Sequence, residues 1–250
     1  MSERKVLTKR PEKIFLFDTV VNYQGVLGAA MTGDIYYWIA KGYNPWKCAE
    51  DYAEMFYVNE KTIRRKLRTL FEEQGYFHRK RTRMNSGWLG AYEYSHVNSH
   101  NSNALKELYT KLLTNNSPDH DFGEFDGCGN DYKEIPSFQI LTIDSIDTTQ
   151  DIKSAYLLCR ISWAQSARGQ TELYFRSNAH FEYWSNLGRG TAYRHLQKLR
   201  QLGVVTYNYS GSQFVVRASE DDPTVIYMES YMMDKQEVRA EALRDAICSN

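Results

Sequence analysis

The chain has 250 residues, 42% hydrophobic and 25% charged, with 31 Lys and Arg against 31 Asp and Glu. This composition suits two small domains better than one large one, and no apolar run approaches the roughly 18 residues of a membrane span or follows the charged start as a signal sequence would. The four cysteines (Cys48, Cys128, Cys159 and Cys248) form no CxxC pair, which excludes a disulfide framework and a cysteine zinc ribbon and points to a cytoplasmic protein.

The zero net charge hides an asymmetry. Residues 1–115 hold 18 Lys and Arg against 12 Asp and Glu, and residues 116–250 hold 13 against 19. Binding depends on the field at one face, so charge is read locally.

In chain order, Arg4, Lys5, Lys9, Arg10 and Lys13 read as a basic tail, or as an arm for the minor groove. Residues 33–40 and 46–56 read as helices, the second with Cys48, Tyr52, Met55 and Phe56 on one side. Tyr57, Val58 and Asn59 make a tight turn, and a third helix follows with Ile63, Leu67 and Leu70 facing inward. Residues 76–83 and 89–95 read as strands joined through Asn85, Ser86 and Gly87. Leu105, Leu108, Tyr109 and Leu112 mark a helix that closes a first domain at residue 114.

Residues 115–135, rich in Asn, Asp and Gly, read as an acidic linker to a second domain at 136–220. In that domain residues 154–164 and 178–184 read as helices, Asn186, Leu187 and Gly188 as a turn, and 204–209 with 213–218 as strands. The final segment, 221–250, carries a capping box at Asp234 and Glu237. Its apolar stripe of Val238, Ala242, Leu243, Ala246 and Ile247 packs on the second domain or joins two copies as a homodimer.

The strongest feature is an internal repeat. Residues 58–77 read VNEKTIRRKLRTLFEEQGYF and residues 187–205 read LGRGTAYRHLQKLRQLGVV. At an offset of 129, Thr62 meets Thr191, Arg65 meets Arg194, Leu67 meets Leu196 and Leu70 meets Leu199. The flanks agree as well: two helices precede each third helix, and a glycine (Gly75 or Gly203) and a hairpin follow it. Helix, helix, short turn, helix is the helix-turn-helix plan, and the hairpin is a wing. The expected class is therefore α+β, mainly α, as two winged helix-turn-helix domains in tandem.

The shared T-x-x-R-x-L-x-x-L followed by Gly and an apolar strand resembles tandem winged-helix DNA-binding proteins among plasmid and phage replication initiators and mobile-element regulators. The resemblance covers about residues 28–95 and 150–218. It implies replication initiation by binding origin repeats and recruiting host replication proteins. A transcriptional regulator of a mobile element uses the same surface, and a protein-interaction adaptor the same fold.

Residue spacing supports duplex DNA as the partner. On the third helix the inward stripe turns Lys61, Arg65, Arg68 and Thr69 outward, with Thr62 and Arg64 flanking and Asn59 as the cap. From Glu60 to Arg83 there are nine Lys and Arg against three acids. Arginine reads base edges bidentately in the major groove while neighbouring cations hold phosphates, which assigns Arg65 and Arg68 to bases. Arg79, Lys80, Arg81 and Arg83 on the wing then meet the backbone or minor groove. In the second half the corresponding set is Arg189, Thr191, Tyr193, Arg194, Gln197 and Lys198, in a stretch from Arg189 to Arg217 that holds no acid. Two recognition helices in successive major grooves require half-sites about 34 Å apart, or a multiple.

No phosphate-binding GxxxxGK[ST] loop occurs, and His96 with His100 lacks further ligands, so neither a cofactor nor a metal is expected, and the chain reads as a non-enzyme.

Overall fold

The computed structural model describes residues 10–11, 13–70, 75–83, 89–113, 138–188 and 190–234. The linker read at 115–135, the wing turn at 85–87 and the final apolar stripe from Val238 lie outside the described residues. No helix among the described residues is long and apolar enough to cross a membrane. The class is α+β, mainly α, with small antiparallel sheets.

The chain divides into two compact units. Among the described residues the first takes those up to 113 together with 138–155, and the second takes 156–234. Sequence reading opens the second domain at 136, but residues 138–155 belong with the first unit. The cause is a strand pair: β1 (Lys13–Phe17) runs antiparallel to β5 (Phe138–Thr142), from Lys13 opposite Thr142 to Phe17 opposite Phe138. Lys13, read as part of a basic tail, opens a strand whose next four residues are buried.

In the first unit, α1 (Asp18–Ala40) is interrupted at Gly25, whose φ of 70° and ψ of 170° suit only glycine. The longer part of α1 underlies everything else. A Cβ built on Gly33 would lie 2.4 Å from the Ile14 side chain and 2.8 Å from the Phe15 carbonyl oxygen, so β1 touches the helix backbone directly. Tyr109 of α4 (His100–Leu113) donates its hydroxyl to that same carbonyl.

Residues 46–56 do not form one helix, as the sequence suggests. Trp46 and Lys47 form a strand, β2 (Trp46–Lys47), because Lys47 sends its side chain into the core. Its Nζ donates to Asp34 Oδ1 at 2.5 Å, and both side chains are 1% exposed or less. Tyr52 donates its hydroxyl to Asp34 Oδ2 at 2.9 Å. The helix proper, α2 (Ala49–Phe56), starts two residues after Lys47. Cys48 caps it: its Sγ accepts from the Asp51 amide, and its own amide donates to the Asp51 carboxylate.

The turn after α2 is tight because Tyr57 adopts a left-handed conformation, and α3 (Glu60–Arg68) begins three residues later. Ile63, Leu67 and Leu70 are buried, as their spacing predicts. β3 (His78–Arg83) and β4 (Leu89–Ser95) then pair antiparallel, with β4 between β2 and β3.

The second unit repeats this order. It contains α6 (Ile152–Arg168), β6 (Leu173–Phe175), α7 (Asn178–Ser185), α8 (Thr191–Gln201), β7 (Val205–Ser210), β8 (Gln213–Ala218) and helical residues 223–234; the division between the units falls in the first turns of α6. The strand order β6-β8-β7 matches β2-β4-β3. Asn186, 129 positions after Tyr57, is again left-handed and again ends the second helix. Gly203, with φ 77°, closes α8: its amide donates to the Arg200 carbonyl and the Val204 amide to the Leu199 carbonyl, the paired bonds of a Schellman motif. The repeat also reaches further back than the sequence suggests. A strand and a short helix, β5 and α5 (Ile143–Thr149), precede α6 as β1 and the first part of α1 precede the rest of α1.

The core of the second unit joins Leu157, Ile161, Phe181, Leu196, Leu199 and Phe214. Tyr36, Trp38, Trp163 and Trp184 occupy core positions in their units, as expected.

Two outcomes test this packing. Lys47→Met leaves the Asp34 carboxylate buried without its counter-ion, and urea unfolding should register a loss of about 3–5 kcal/mol. A loss under about 1 kcal/mol would show that the pair does not organise the core. The second test is alkaline. Burial pushes the Tyr36 phenol up to about 12 and holds those of Tyr52 and Tyr109 far above their usual value near 10. Because these folded-state values are raised, their stabilisation is complete below pH 10 and is lost as pH rises beyond it, when the unfolded chain ionises first. Tyrosinate absorbance of these groups should therefore appear together with unfolding, above pH 10, and not as a separate titration.

Candidate nucleic-acid interface

The outward face of α3 follows from its capping and its apolar stripe. Asn59 accepts from the Lys61 amide at 2.9 Å through its side chain, satisfying one of the helix's open donors. With Ile63 and Leu67 buried, Lys61, Arg64, Arg65 and Arg68 are exposed, and Thr62 and Thr69 are half-buried. Thr69 donates its hydroxyl back to the Arg65 carbonyl at 3.3 Å, so within the helix that group is already engaged.

Two of the basic residues in this stretch are tied down. Arg64 donates through Nε to Glu60 at 2.7 Å and again through Nη2, an i,i+4 pair that raises the guanidinium pKa. Lys66 turns inward, and its Nζ donates at 2.9 Å to the Gln24 carbonyl, beside the break in α1. Burial lowers its pKa, and neighbouring Arg65 adds to the shift. Lys66 therefore stabilises a helix end and leaves the exposed face, although it counts toward the basic run in the sequence.

The β3–β4 hairpin is sorted by the two-residue period of a strand. Arg79 and Arg81 share a face, opposite Tyr94 and Tyr92 in register. Both guanidinium groups pack on the Tyr92 ring, at 4.7 and 5.6 Å from its centroid. Lys80 points to the other face of the sheet, opposite Glu93, which accepts from Asn44 at 3.1 Å. The predicted basic strip of the hairpin is thus split: Arg79 and Arg81 share the Tyr92 face, and Lys80 does not. The backbone of Arg83 ends β3 after a register shift.

In the second unit Arg194 and Gln197 are exposed, and Thr191, Tyr193 and Lys198 are half-buried. Arg189 lies outside the described residues. Tyr193, Gln197 and Arg200 form an i, i+4, i+7 stripe that meets Tyr207 of β7. The Tyr193 and Tyr207 hydroxyls are 3.5 Å apart, and the Arg200 guanidinium lies 5.0 Å from the Tyr207 ring centroid. Hydrogen bonding to Tyr193, with Arg200 and Gln197 adding to it, lowers the Tyr207 pKa. Tyr193 and Gln197 therefore face β7. Sequence reading missed Tyr92, Arg200 and Tyr207 as members of these surfaces; strand alternation offered a signal for the two tyrosines once the register was known.

Among the described residues no group of three His, Cys, Asp or Glu converges as a metal site. Ring nitrogens of His96 instead bond Ser102 and Asn103, at 2.9 and 2.8 Å. Comparison of the chain with protein-family models, curated proteins and solved structures finds no match.

The Glu60 pair restrains one cation of the α3 face. Glu60→Gln releases Arg64 and adds one net positive charge, so the variant should elute from heparin at higher salt than the native chain. Unchanged elution would show that Arg64 takes no part in the basic surface.

Proposed function

We propose that the chain binds double-stranded DNA through two winged-helix units in tandem, with α3 and the Tyr92 side of the β3–β4 hairpin as the principal grip. One observation carries the reading: Lys61, Arg64, Arg65 and Arg68 are exposed on α3, and Arg79 and Arg81 gather over Tyr92 on one face of the hairpin that follows it. The winged-helix assignment is supported by the repeated order helix, strand, helix, helix, strand, strand with the third strand central.

Arg65 and Arg68 are the base-reading residues of this proposal, and Lys61, Thr62 and Arg64 hold phosphates with the capped helix start. Arg79 and Arg81 reach an adjacent backbone or minor groove. The second unit, through Thr191, Arg194 and Lys198, extends the contact. The resemblance to plasmid and phage initiators favours replication initiation at repeated origin sites. Footprints over several spaced copies of one target support that role, and a single palindrome over a promoter supports a regulator.

About six phosphate contacts give a log-log dependence of affinity on salt with slope near −5. Arg65→Ala should cost about 1–3 kcal/mol on the specific site and relax base preference, read by gel shift against specific and random duplex. Absence of duplex binding at low salt overturns the proposal and favours a protein-interaction adaptor.

A further inference from the structure

The two units carry different chemistry on equivalent positions. An offset of 129 along the third helices sets Arg64 against Tyr193 and Arg68 against Gln197. An offset of 128 along the first wing strands sets Phe77 against Val205, both buried, and then Arg79 against Tyr207 and Arg81 against Tyr209. The ladders agree, because Arg81 stands opposite Tyr92 as Tyr209 stands opposite Phe214. At four positions where the first unit presents a guanidinium, the second presents tyrosine or glutamine.

We propose that this tyrosine face of the second unit, where α8 meets β7 and β8, is a stacking site for unpaired bases of single-stranded DNA. Tyr209 is its leading group. The residue is 61% exposed, yet its side chain is held at both ends. The hydroxyl donates to Asn178 Oδ1 at 2.7 Å, and the ring packs on Phe214 at 5.4 Å between centroids. A ring already fixed in place loses little freedom when a base stacks on it. Tyr207 and Tyr193 continue the aromatic surface inward, edge to face at 5.8 Å.

The surrounding charge fits a strand's phosphates. Arg194, Lys198 and Arg200 lie on the same helix, and no acid occurs from Arg189 to Arg217. Fewer cations with more open aromatic surface is the pattern that suits unpaired bases over duplex, since stacking needs base faces that a duplex hides. The proposal rests on the reading of the chain as a DNA-binding protein and adds a single-strand site, on the tyrosine face, to the second unit's contact with duplex.

The test uses the full chain with a fluorescent oligothymidine of about 12 nucleotides and, separately, a duplex, both by anisotropy at low salt. Tyr209→Ala should weaken oligothymidine binding roughly 5- to 100-fold while duplex affinity stays within twofold. Tyr209→Phe should keep most of the single-strand affinity, and Arg65→Ala should lower duplex affinity alone. Oligothymidine left unbound by a chain that still binds duplex overturns this site and spares the duplex reading. Equal oligothymidine affinity in the native and Tyr209→Ala chains also overturns it and leaves the face to a protein partner. Failure to bind either nucleic acid overturns both readings.

Discussion

A carboxylate and an ammonium group withdrawn from water together set the geometry of the first unit. Asp34 and Lys47 are each too costly to bury alone, so the chain must bring β2 against α1 wherever the core closes. Tyr52 fills the remaining carboxylate oxygen and draws α2 to the same point. With α2 pinned and a three-residue turn behind it, α3 has little choice of direction: its apolar stripe meets the core and its cations face outward. The second unit buries charge on its long helix too, but with the opposite sign. Arg160 donates to the Trp184 carbonyl at 2.9 Å and lies over the Trp184 ring, tying α6 to α7.

The repeated scaffold separates what is held constant from what is free to vary. Inward positions keep their character across the offset of 129: Leu67 and Leu196, Leu70 and Leu199, Ile63 and Ala192 are all buried. On the outer side Arg65 and Arg194 agree, while Arg64 gives way to Tyr193 and Arg68 to Gln197. A surface position can exchange arginine for tyrosine without disturbing packing, so a duplicated unit can change its ligand while keeping its fold.

Much of this architecture was legible in the amino-acid order, because capping and helical periodicity are local. The Asn59 cap, the buried Ile63, Leu67 and Leu70, and the glycine at Gly203 each follow from a few adjacent residues. What escaped was non-local. Residues 13–17 and 138–142 are short apolar runs that acquire meaning only as partners of one another. Trp46 and Lys47 resemble a helix start until the distant Asp34 claims the lysine. The inward turn of Lys66 depends on a carbonyl exposed by the break at Gly25, which nothing near Lys66 announces. The candidate surface followed the same rule: the cations of α3 could be read from spacing, while the split of Arg79 and Arg81 from Lys80 required the strand register.

The pairing of β1 with β5 bears on how the protein is made. Lys13 meets Thr142, so the first unit gains its closing strand only after the polypeptide has been synthesised well past α4. Until then the nascent chain carries Ile14, Phe15, Leu16 and Phe17 on a strand edge with no mate, the kind of surface that invites aggregation and chaperone capture. Such a high contact order slows folding and makes a fragment cut after α4 a poor substitute for the whole unit.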